Sequence, residues 1–260
     1  MAPQRVEVGT RLLEVGRHLQ WMAETPPGTT ASAGQMHAHL ERHGYMLVRD
    51  LIDRGAVGAG CRCIAGALAE TGWLAPNRRP ELLELGASTP SGGFMLQADE
   101  QDQMMNAPEV RRVLAGPELM GLFRVLFGEQ AASFDFKWFR AMCPGQGSGF
   151  HMDNVYMGKG SERLYSVYVP WHDADVERGG LVVLEKSNSH PAYQRLRETY
   201  GEYCNSHDRI DTGAGNTVDN SGWFGRDPAE LLAFHPAACW RTAEQFNAGD
   251  VVVFPMHTMQ

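Results

Sequence analysis

The strongest constraint on the fold is a change of character at about Ala131. Before it, apolar residues recur mostly at helical spacing; after it, they come in short β-rich runs separated by turn clusters. In the first part, Leu12, Leu13, Val15, Leu19, Trp21 and Met22 predict a helix over residues 6–24, followed by a Pro26-Pro27-Gly28 linker running to residue 34. Residues 35–43 read as a second helix closed by Gly44, residues 45–48 as a short strand, and residues 52–71 as a further helix. Gly58, Ala59, Gly60, Ala65 and Ala67 give that last helix small residues that permit close packing. Residues 107–128 are helical again, with a break at Gly116-Pro117. Residues 76–103, with Pro80, Pro90, Gly92 and Gly93, read as an irregular excursion, either a functional lid or a surface loop.

The second part reads as strands. Residues 133–141 are aromatic-rich with partial alternation, and Cys143-Pro144-Gly145-Gln146-Gly147 is a turn cluster. Residues 164–171, 181–184 and 251–254 are further strands, the last entered through a turn over residues 245–250. Residues 191–203 form a polar helix or extended loop, and residues 205–219 are irregular. Helices first and short antiparallel strands second make an α+β chain whose second half is a β-sandwich or barrel. A double-sheet jelly roll is the natural container, because it lets side chains from remote strands converge inside its mouth. The expected organisation is an N-terminal helix and linker over residues 1–34 and one domain over residues 35–260.

Within that frame the chemistry centres on Phe150-His151-Met152-Asp153-Asn154. In a strand, alternate side chains share a face, so His151 and Asp153 would reach one point. An imidazole and a carboxylate there make two thirds of a 2-His-1-carboxylate site of the non-haem Fe(II) type. The other reading is an exposed hairpin with a solvated Asp bonded to its His neighbour; a lone His-x-Asp is a weak signal without structural context. Both groups must be deprotonated at a metal, so binding should weaken at low pH.

Composition excludes several alternatives. A net charge of −8 argues against a nucleic-acid surface or a polybasic membrane anchor. No apolar run approaches the length of a membrane span, and no apolar stretch after a basic start suggests a signal peptide. The five cysteines are an odd number without zinc-knuckle spacing and read as reduced thiols, which points to the cytoplasm. A hydrolytic Zn(II) site lacks a third ligand and a Glu beside the pair. A serine nucleophile lacks a Gly-x-Ser-x-Gly elbow, and Cys143 before Pro144 looks structural.

An ordered set of motifs resembles the phytanoyl-CoA dioxygenase-like family. The motifs are Gly149-Phe150-His151-Met152-Asp153, Arg178-Gly179-Gly180-Leu181-Val182-Val183-Leu184, Ser187-Asn188-Ser189-His190 and Ala248-Gly249-Asp250-Val251-Val252-Val253-Phe254. Glu41-Arg42-His43-Gly44-Tyr45-Met46-Leu47-Val48 looks like that family's N-terminal helix and strand. Arg195-Leu196-Arg197-Glu198-Thr199-Tyr200-Gly201 and Gly222-Trp223-Phe224 resemble a bacterial branch of it. The resemblance covers roughly residues 35–260.

The resemblance implies a double-stranded β-helix (jelly-roll, cupin-like) fold with N-terminal and flanking helices. It also implies Fe(II), 2-oxoglutarate and O2, and hydroxylation of a small-molecule substrate with release of succinate and CO2. His151 and Asp153 would be iron ligands. The family's third ligand, a His ten residues after the Asp of the Gly-Asp-Val segment, falls on Gln260. His257 is the histidine at hand, but it has the wrong strand parity and would reach the metal only through a bulge. The family's Arg for the distal carboxylate of 2-oxoglutarate lies about one strand further on, so the closing strands read as missing. That would leave an exposed sheet edge open to self-association.

Lys137 is then the candidate cation for that carboxylate, and Tyr168 aligns with a pocket aromatic. Each also has an ordinary reading, a solvent-facing Lys and a core Tyr. Trp171, Trp223 and Phe224 either shape a substrate pocket or pack the core. The rival to the oxygenase is an inactive, cupin-like binding or regulatory protein without the third ligand and the Arg.

Overall fold

A computed structural model describes residues 4–75, 83–86, 98–142, 147–158, 160–200, 210–211, 217–218 and 222–260. In chain order its elements begin with strands β1 (Arg5–Val8), β2 (Arg11–Glu14) and β3 (Leu19–Trp21), helix α1 (Ala33–His43) and strand β4 (Met46–Val48). Helices α2 (Arg54–Glu70), α3 (Ala98–Met105), α4 (Pro108–Leu114), α5 (Pro117–Phe127) and α6 (Asn154–Met157) follow. Then come β5 (Tyr165–Tyr168), β6 (Ala174–Asp175), β7 (Val183–Leu184), α7 (Gln194–Tyr200), β8 (Ile210–Asp211) and β9 (Thr217–Val218). The chain closes with α8 (Pro228–Leu232), β10 (Trp240–Thr242), β11 (Gln245–Phe246) and β12 (Val251–Pro255). The fold is α+β with several small sheets. Among the described residues, no helix is long and apolar enough to cross a membrane.

Two three-stranded sheets matter most. In the first, β12 lies between β4 and β5 and is antiparallel to both, with Val252 opposite Leu47 on one side and Tyr168 on the other. In the second, β10 runs parallel to β3 and antiparallel to β7. The pleat alternates side chains between faces. Val251 and Val253 therefore join Met46 and Val48 beneath α1 and α5, whose Met36, Leu40, Leu119 and Leu122 cover them. Val252 and Phe254 face the other way, into a layer shared with Leu47, Tyr168, Val183, Phe246 and Met22. That layer joins the two sheets. The far side of the second sheet, with Leu19, Leu184 and Trp240, packs on Val6, Val8, Phe150, Met152, Leu196 and Leu231.

Local signals explain the helices. Ser32 accepts from the Gln35 N–H at the start of α1, and Gly44 ends it at φ 83° with its N–H on the Leu40 carbonyl at 2.7 Å. Asp53 caps α2 through the Ala56 N–H at 2.8 Å. Proline opens both α4 and α5, and the Gly116-Pro117 break falls between them as expected. Gly60 uses its missing side chain: a Cβ there would fall 2.6 Å from the Trp171 ring. Strand β12 is held at its entry by Asp250, which is 1% exposed. Its carboxylate accepts from Arg49 Nη1 at 2.6 Å, from the Asn247 N–H at 2.8 Å and from the Asp50 N–H at 3.1 Å.

Three expectations are corrected. Residues 6–24 form three strands, not a helix, so the expected N-terminal unit is, over residues 4–34, a strand hairpin with a further strand and a 3-10 turn at Thr29–Ala31. Val6 and Val8 point inward with period two, and Gly9 turns the hairpin at φ 58°, where a Cβ would meet the Arg226 carbonyl at 2.1 Å. Residues 133–141 are not a paired strand; Phe139 and Ala141 are buried, but Phe134 and Trp138 stand out at the surface. Composition favours a strand there, but no ladder partner meets it among the described residues. Of the excursion over residues 76–103, the stretch 98–103 is helical, and residues 76–82 and 87–97 lie outside the described residues, as does most of the turn at Cys143.

Leu19 is fully buried on β3, whereas Leu12 on β2 is 65% exposed. Leu19→Ala is expected to cost about 2–5 kcal/mol in denaturant unfolding and Leu12→Ala about 0.5 kcal/mol or less; equal losses would contradict the strand assignment. Asp250→Ala, which removes the acceptor of two backbone N–H groups and one partner of Arg49 while Glu24 and the Gln245 carbonyl still hold that guanidinium, is expected to cost about 1–3 kcal/mol by the same measurement.

Candidate metal centre

The segment from Gly149 to Asp153 runs between two other stretches of chain. On one side the Phe150 N–H bonds the Gly225 carbonyl and the Phe224 N–H bonds the Phe150 carbonyl, both at 2.7 Å. On the other, the His151 N–H bonds the Gln260 carbonyl at 3.0 Å and the Gln260 N–H bonds the His151 carbonyl at 2.9 Å. Phe150 and Met152 are buried in the core cluster, with the Phe150 ring centroid 4.4 Å from that of Trp240. Alternation then turns His151 and Asp153 to the opposite side. Gly149 is required by packing, since a Cβ would lie 2.6 Å from the Trp223 indole. The extended conformation lasts only to this pair: Asp153 already has helical angles and opens α6, whose Asn154 N–H donates to the Met256 carbonyl at 3.1 Å.

His151 and Asp153 meet as the spacing predicts. Both are buried, and His151 Nε2 lies 3.5 Å from Asp153 Oδ1. His151 Nδ1 is 2.8 Å from the Gly149 carbonyl, which can only accept, so Nδ1 is the donor there and Nε2 is the nitrogen turned toward Asp153. The Ser166 hydroxyl donates to Asp153 Oδ2, leaving Oδ1 toward the histidine, and the carboxylate is not spent on capping α6. Ser166 is held on β5 opposite Phe254 of β12. Tyr156 stands edge-on to the His151 ring at 5.5 Å.

Two donors each about 2.1 Å from one ion are about 3.0–3.4 Å apart at octahedral to tetrahedral angles, close to the separation found. A partner on the far nitrogen of the His and a donor on the far oxygen of the carboxylate are also how metal ligands are held in orientation. Beside them, Asn154 Oδ1 is buried without a hydrogen-bond partner, an acceptor that a donor on a bound group would satisfy. The pair fits a divalent metal.

The other sequence candidates are placed differently. His257 lies in the turn after β12, where burial and nearby Arg197 lower its pKa and Glu162 opposes them. The structure does not bring it to His151 and Asp153. Among the described residues, no group of three or more His, Cys, Asp or Glu is placed to hold a metal ion.

Lys137 keeps company with Asp135 and Arg111, and burial lowers its pKa. The cation that feels Asp153 and Tyr156 is Arg140. Although Arg140 is exposed as a residue, desolvation holds its pKa below the usual guanidinium value, against the pull of those two residues. The strand expected over residues 133–141, which carries Lys137, does not pair among the described residues.

Tyr168 shares a face of β5 with Ser166, sits edge-on to Phe246 at 5.1 Å, and burial pushes its phenol up to about 12. Phe224 is core, Trp171 packs against α2, and Trp223 backs Gly149. Sequence reasoning missed Ser166. Its signal was its place two residues before Tyr168 on one strand face.

Ser166→Ala removes the donor that orients Asp153. It is expected to weaken divalent-metal binding about 10–100-fold, measured by Co(II) titration of the folded chain; unchanged affinity would mean that the hydroxyl does not position the carboxylate.

Comparison of the chain with protein-family models and with curated proteins finds no match to either.

Proposed function

We propose that the chain is a non-haem Fe(II)- and 2-oxoglutarate-dependent dioxygenase of the phytanoyl-CoA dioxygenase type, hydroxylating a small organic substrate on a jelly-roll fold. The observation that carries the reading is the buried His151/Asp153 pair, with Nε2 and Oδ1 3.5 Å apart and each far atom already bonded. Support for the jelly roll comes from the two three-stranded sheets that share one apolar layer, with the His/Asp segment paired against residues 224–225 and 260.

Bound iron and 2-oxoglutarate would supply O2 activation, with succinate and CO2 as co-products. The chain's own groups bind, orient and exclude water. His151 and Asp153 hold the metal, and Ser166 fixes which carboxylate oxygen faces it. Arg140, rather than Lys137, is the cation in the neighbourhood of Asp153 and can meet the negative charge of an oxo acid. The layer of Tyr168, Phe246, Val252 and Phe254 keeps the interior apolar, and the Tyr168 phenol stays protonated at neutral pH.

One observation favours a second reading. Among the described residues, no third His, Cys, Asp or Glu joins the pair, as would hold for a non-catalytic binding or regulatory jelly roll. The two part on one assay. The chain supplied with Fe(II), 2-oxoglutarate and O2 is expected to form succinate, and the His151→Ala/Asp153→Ala variant to form none. Folded protein that neither binds iron nor makes succinate would establish the second reading instead.

A further inference from the structure

We propose that the side-chain amide oxygen of Gln260 is the third protein donor of the His151/Asp153 centre, giving a set of one imidazole, one carboxylate and one carbonyl; the inference rests on the metal-centre reading above. The two reciprocal backbone bonds, at 3.0 and 2.9 Å, make His151 and Gln260 a directly opposed antiparallel pair. Directly opposed residues send their side chains to the same face, with Cβ atoms about 4.5–5.5 Å apart. Alternation on the other strand gives the same answer. Met259 is fully buried in the cluster that holds Phe150 and Met152, so its chain neighbour turns to the side of His151 and Asp153. Gln260 is partly buried there.

Two residues close to Gln260 in the chain are committed elsewhere, and Asn154 Oδ1, buried without a partner, is the other amide oxygen next to the pair among the described residues. Thr258, with the same parity as Gln260, spends its hydroxyl on the Gly44 carbonyl at 3.0 Å. His257 lies in the turn after β12, within the electrostatic reach of Arg197 and Glu162. An amide oxygen is a neutral, hard donor. Compared with an imidazole in its place, it shifts preference toward Mn(II) and away from the metals that favour nitrogen. With an amide oxygen as the third donor, the centre needs no third His, Cys, Asp or Glu, and none joins the pair among the described residues.

The test is metal binding to the whole folded chain, with Co(II) alone followed by visible absorption and Mn(II) alone by electron paramagnetic resonance. Gln260→Ala keeps the backbone pair and is expected to weaken Co(II) binding at least about tenfold, as is His151→Ala. Gln260→His is expected to strengthen Co(II) binding more than Mn(II) binding. His257→Ala is expected to leave both unchanged. If Gln260→Ala binds as wild type does while His151→Ala does not, the centre stands and Gln260 is not its ligand. Binding by Gln260→His but not by wild type would likewise overturn the proposal. If His151→Ala binds as wild type does, the metal centre itself fails.

Discussion

Strand β12 is apolar on both faces and bonded along both edges, and the rest of the molecule is arranged to satisfy it. Val251 and Val253 require the helices, while Val252 and Phe254 require a second sheet. A strand of this kind is stable only in the middle of a layered structure. Its register fixes Ser166 opposite Phe254, which sets the donor of Asp153. Its continuation supplies the Met256 carbonyl to Asn154 and the Gln260 backbone to His151. Asp250, the acidic residue of the Gly-Asp-Val motif, is thus a fastening for the strand entry rather than a chemical group of the site.

What could be read from the sequence follows the range of the interactions. The Gly44 terminus of α1, the Gly116-Pro117 break, β5 and β12 rest on local signals, caps and unbroken β-type runs. The meeting of His151 and Asp153 is equally local, needing only extended backbone through one residue. Residues 6–24 were not legible because their apolar residues suit periods of both two and 3.6. The deciding factor, parallel pairing of β3 with β10, comes from over two hundred residues away. Gly9 and Gly16 were the local hints against a helix.

The same distinction explains the site. Lys137 and Arg140 could not be sorted by alternation, because residues 133–141 have the composition of a strand without its hydrogen bonds. His257 drew attention by its residue type, yet the backbone pairing that selects a neighbour for His151 selects Gln260. Position in the ladder, more than chemical identity, decides which side chain is offered to the centre.

The parallel contact of β3 with β10 bears on how the molecule assembles. β3 has Leu19 opposite Trp240, and β4 has Leu47 opposite Val252, so two early strands take partners that lie over two hundred residues later in the chain. On the ribosome, neither sheet can close until β10 and β12 have emerged. Helices α1, α2, α4 and α5 can associate long before that, leaving the apolar faces of β3 and β4 waiting in the open. The slow and aggregation-exposed stage of folding is therefore the interval before β10 and β12 arrive.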